Sequence, residues 1–67
     1  MAEPKYPDVS VQLSGEDGNV YAITGRVRAA MRRARIPDAE INKFSEEMHA
    51  GTYDDALQTV MRWVDVR

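Results

Sequence analysis

The sequence contains no cysteine, which excludes a disulfide framework and a thiolate zinc site. Its apolar stretches fall far short of the roughly 18 residues that a membrane span requires, so no membrane partner is expected. The start, Met1-Ala2-Glu3-Pro4-Lys5, has no apolar run behind a basic segment, which does not read as a signal peptide and points to a cytoplasmic protein. Histidine occurs once, at His49. Glu46 three residues earlier gives Glu-x-x-His, half of a carboxylate-bridged di-metal site. On a helix, however, Glu46 lies nearly opposite the apolar stripe and points to water, so neither a metal nor another cofactor is expected. Without cysteine, nucleophilic catalysis would need a serine or lysine beside a base. No spacing brings Ser10, Ser14 or Ser45 to His49, and the chain reads as a non-enzyme.

What is present fits one small domain. The 67 residues are 43% hydrophobic and 30% charged, too apolar for a disordered chain and too few for two cores. The net charge of -2 conceals a segregation. Residues 20–35 carry Arg26, Arg28, Arg32, Arg33 and Arg35 with no acid among them, and residues 36–56 carry Asp38, Glu40, Glu46, Glu47, Asp54 and Asp55 against Lys43 alone. The simplest expectation is that these acids balance the arginines within the fold. The alternative is a basic surface, bordered by Tyr21, for an acidic partner or a nucleic acid.

Along the chain, Pro4 and Pro7 mark residues 1–8 as a flexible lead-in to a single domain spanning 9–67. Val9, Val11 and Leu13 alternate with polar residues, which predicts a strand over 9–14. Gly15-Glu16-Asp17-Gly18-Asn19 is a turn by composition. Val20, Ile23, Thr24, Val27, Ala30, Met31 and Ala34 recur at helical spacing behind Asn19, a preferred N-cap, and predict a helix over 20–35. Asp17-Gly18 leaves a hairpin, with a second strand at Val20–Thr24, as the alternative. Pro37 ends that helix. Ile41, Phe44 and Met48 carry a second helix over 38–50, with Gly51 placed for a left-handed termination. Thr52 and Asp55 form a capping-box pattern opening a third helix over 53–64, whose stripe is Tyr53, Ala56, Leu57, Val60, Met61 and Val64. Trp63 falls at the edge of that stripe, where its N–H would stay wet. Val64-Asp65-Val66 alternates again and predicts a short strand at 64–66 that covers the first. The fold class is α+β, mostly α, with Val9, Val11, Leu13, Val27, Met31, Phe44, Leu57, Val60 and Met61 central.

The order strand, glycine-rich turn, helix is only superficially a phosphate cradle. It lacks the Gly-Lys-Ser/Thr of a P-loop, and Glu16 and Asp17 would repel a phosphate. The third helix makes a poor DNA-recognition helix because it opens on Tyr53-Asp54-Asp55.

The run Gly15-Glu16-Asp17-Gly18-Asn19-Val20-Tyr21-Ala22-Ile23-Thr24-Gly25, with the ending Val60-Met61-Arg62-Trp63-Val64, resembles a group of short uncharacterised proteins of bacteria, plasmids and phages. They share a Gly-x-Asp-Gly-Asn-x-aromatic-x-Ile-x-Gly motif and a Val-Met-Arg/Lys-aromatic-Val ending. The resemblance spans about residues 9–66 and implies an accessory protein of a phage or mobile element, without naming an activity. Three expectations follow. The first is a non-enzymatic protein-interaction module that meets an acidic surface through Arg26, Arg28, Arg32, Arg33, Arg35 and Tyr21. The second is a nucleic-acid-binding accessory protein using the basic helix, and the third a small enzyme subunit. A weak homodimer through Val9–Leu13 or the Trp63 edge is a further expectation.

Overall fold

The computed structural model describes residues 3–12 and 19–67. The chain is α+β and mostly α. Strand β1 (Tyr6–Val11) is followed by helices α1 (Val20–Arg33), α2 (Asp38–Met48) and α3 (Tyr53–Trp63), and by strand β2 (Val64–Val66). The two strands pair in parallel, so the three helices together form the crossover between them. Leu13, Ser14 and the turn 15–18 lie outside the described residues.

The first strand starts at Tyr6, inside the segment expected to be a lead-in. Its register runs Tyr6 to Val64, then Ser10 to Asp65 and Val11 to Val66. Four residues along β1 thus span a single step along β2. The irregularity contains Pro7, which has no N–H to give to a ladder and is tolerated where the pairing is interrupted. Backbone bonds of 2.8 Å, Lys5 N–H to Arg62 C=O and Arg67 N–H to Val11 C=O, fasten both ends.

Val20–Thr24 is helical, which removes the hairpin alternative. The Tyr21 backbone N–H donates to Asn19 Oδ1 at 2.7 Å, as the N-cap reading requires. The helix stops at Arg33, two residues early, because Arg35 takes a left-handed φ of 62°. The Ile36 N–H then reaches Met31 C=O at 3.1 Å and the Arg35 N–H reaches Arg32 C=O at 2.9 Å. Those two bonds make a Schellman closure, and Ile36 packs on the core behind it. Arginine in this conformation is strained by about 1–2 kcal/mol relative to a right-handed residue. Part of that is recovered from glycine's larger entropy loss. Arg35→Gly is therefore expected to stabilise the fold by about 0.5–1 kcal/mol and raise Tm by a few degrees in a thermal melt.

Helix α2 also ends early, at Met48, with His49 as its cap at φ −104°. Pro37 is its N-cap residue and makes no side-chain capping bond. Gly51 does not adopt the left-handed conformation expected of it. Its role is clearance: a Cβ there would stand 2.5 Å from Asp55 Oδ2. That carboxylate accepts from the Thr52 N–H at 3.1 Å, while the Asp55 N–H donates to Thr52 Oγ1 at 3.2 Å. The capping box is complete.

The core is built on Phe44, Met31, Ile41, Met48, Val27, Val60 and Val64, all fully buried, with Val9 and Val11 closing it from β1. Helix α3 sits turned relative to its expected stripe. Ala56, Thr59, Val60 and Trp63 face inward, Leu57 is half-buried, and Met61 is 55% exposed. Trp63 decides this. Its ring is only 4% exposed, lies edge-on to Phe44 at 5.7 Å between centroids, and stacks on Tyr6 at 6.0 Å. Its Nε1–H donates to Glu47 Oε1 at 3.1 Å instead of to water. Turning the largest apolar side chain inward buries more area than turning Met61 inward would.

Candidate protein-interaction surface

Helix α1 buries Ile23, Thr24, Val27, Ala30 and Met31 and sends its arginines out along both shoulders. On the β1 side, Arg26 Nη1 donates to Gln12 C=O at 2.8 Å. Arg33 shares a surface hollow there with Asp8, Val9 and Ser10. On the opposite side, Arg28 turns into a groove against α2 lined by Asn42, Ser45, Glu46 and His49. Tyr21 stands at the same shoulder, 76% exposed, with its ring 5.0 Å from that of His49. Arg32 and Arg35 are exposed. The outward face between the shoulders is bare at Gly25, where an added Cβ would meet nothing within 4 Å.

Of the acids expected to balance these arginines, Glu40, Glu47 and Asp55 are engaged elsewhere. Glu40 pairs with Lys5 Nζ and also accepts from the Tyr6 hydroxyl at 2.9 Å. The bond from Lys5, and then that from Tyr6, hold the Glu40 carboxyl below the usual carboxylate range. Burial, followed by the bond to Glu40, pushes the Tyr6 phenol up. Glu47 receives the Trp63 N–H, Asp55 completes the capping box, and Asp65 meets Arg67 Nε at 3.3 Å. The side chains of Arg28, Arg32, Arg33 and Arg35 form no hydrogen bond or ion pair among the described residues. Direct pairing of Arg28, Arg32, Arg33 and Arg35 with those acids, the simplest expectation from the sequence, is not found among the described residues.

Three further residues join the site. Asn42, Ser45 and His49 are spaced i, i+3, i+7 and so share one face of α2, opposite Tyr21 and Arg28, which are spaced i, i+7 on α1. That periodicity was available in the sequence, but the polar face of α2 was read only as solvated surface. Ser45 and His49 line the same groove without a hydrogen bond between them. Among the described residues no group of three or more His, Asp or Glu could hold a metal ion, and no helix is long and apolar enough to cross a membrane. Trp63, one of the two places expected to receive a second copy of the chain, is buried and offers no edge.

No family model, curated protein or solved structure matches the chain. Function has to be read from α1 and its neighbours.

Proposed function

We propose that this chain is a non-enzymatic interaction module, an accessory protein that grips an acidic surface of a partner protein through helix α1. One observation carries the reading. Three arginines of helix α1, Arg28, Arg32 and Arg33, and Arg35 in the turn that closes it, form no ion pair or side-chain hydrogen bond among the described residues, although the chain as a whole is acidic. A protein that needed these charges only for solubility would gain by pairing some of them across α2. An unpaired guanidinium fork is instead suited to bidentate recognition of carboxylates.

A long polyanion fits less well. Asp38, Glu46 and Glu47 lie on the helix beside α1, and Tyr21 is the only aromatic residue on the arginine-bearing helix, which leaves little for base stacking. The double reversal Arg32→Glu/Arg35→Glu should leave the thermal melt nearly unchanged, because both side chains are exposed and exposed charges are worth only about 0–1 kcal/mol to the fold. It should also abolish binding of a fluorescein-labelled decaglutamate peptide followed by anisotropy at low salt. Sub-micromolar binding of random-sequence duplex DNA, lost on the same reversal while the peptide does not bind, would transfer the function to nucleic acid.

A further inference from the structure

Resting on that reading, we propose that the groove between α1 and α2 anchors a single carboxylate side chain of the acidic partner, with Arg28 as its cation. The groove is an open hollow of about 550 Å³ lined by Arg28, Asn42, Ser45, Glu46 and His49. The Nε of Arg28 is sealed from solvent and has no acceptor among the described residues. A buried donor left without a partner is uncommon in folded proteins and costs stability. The residue itself lines an open groove, where an incoming acceptor can compensate the guanidinium as a whole. The other lining groups suit an oxyanion. Asn42 offers an amide, Ser45 a hydroxyl and His49 a ring N–H, against the several acceptor positions of a carboxylate.

Glu46 defines which anion enters. It lines the groove, yet makes no ion pair with Arg28. Its charge repels a dianionic phosphate more than a carboxylate, and it weakens any free monoanion. A carboxylate carried on a partner already held by Arg32, Arg33 and Arg35 arrives at high effective concentration and overcomes that repulsion. Glu46 therefore acts as a filter against small free anions, and Arg28 as the point of registration for a tethered acid.

The same decaglutamate titration, run on the full chain, separates this from a diffuse basic field. Arg28→Gln should weaken binding about 10-fold or more, as expected for loss of hydrogen bonds between charged groups. Arg33→Gln, on the far shoulder, should cost about 3-fold or less, the scale of an exposed charge. Arg28→Lys keeps the charge but loses the planar fork, and should recover only part of the loss. Glu46→Gln should tighten binding by about 3-fold, and it provides the decision should the Arg28 variant fail to fold. Equal losses at Arg28 and Arg33, or no gain from Glu46→Gln, would overturn the anchor while the basic-face reading stands. A wild-type chain that binds no peptide would bring down both.

Discussion

Phe44→Ala is expected to leave the chain without a stable folded state. The Phe44 ring is fully buried at the centre of the core and lies edge-on to Trp63 at 5.7 Å. It sits on α2 and belongs to one continuous cluster with Val27 and Met31 of α1 and Val60 of α3. Removing such a ring costs about 3–5 kcal/mol in transfer and cavity terms. A chain of this length has only roughly 3–10 kcal/mol to lose. Urea denaturation followed by circular dichroism should show little or no native baseline for the variant. Leu57→Ala is the control. The sequence stripe placed Leu57 at the centre of the core, where the substitution would cost about 2–5 kcal/mol. Its half-buried position makes about 1–2 kcal/mol the expected loss. A larger loss at Leu57 than at Phe44 would mean that α3 packs in its expected orientation after all.

Helix content, helix order and the N-caps of α1 and α3 were legible because they are local. Asn19, the Thr52 and Asp55 pair, and the apolar spacing of Val20 to Met31 each specify their geometry within four residues. What escaped was set by contacts distant in sequence. Tyr6 belongs to β1 because Val64, 58 positions later, gives it a parallel partner, and proline punctuation at Pro4 and Pro7 hid that pairing. The rotation of α3 follows from Trp63 finding Phe44 and Tyr6 at once, which no window on α3 alone can reveal. Arg35 ends α1 in a conformation that sequence preference assigns to glycine or asparagine. The arginine cluster itself was visible as a run of charge. Whether it was balanced depended on where Glu40 and Glu47 turned, and they turned toward Lys5, Tyr6 and Trp63.

Ending the chain after Trp63 should unfold it nearly as completely as the loss of Phe44. The four residues removed, Val64–Arg67, contribute the fully buried Val64, the half-buried Val66 and the whole partner strand of β1. Burial of the Val64 side chain alone stabilises by about 1.5–3 kcal/mol. With the ladder bonds and Val66 added, the total loss is about 3 kcal/mol or more. The consequence extends beyond the deleted residues. A single strand without a partner has no independent stability, so β1 should detach, and with it Tyr6 and Lys5, which cover the Trp63 ring from 6.0 Å and 4.6 Å. Trp63 is the only tryptophan, so its fluorescence reports the event directly. In the truncated chain the emission should shift to the red even without denaturant, and the cooperative urea transition should be lost. Deleting residues 1–4 provides the contrast, because β1 begins at Tyr6 and would keep its partner. A truncated chain with blue-shifted emission and a sharp transition would show that the three helices form a self-sufficient core and that the sheet only decorates it.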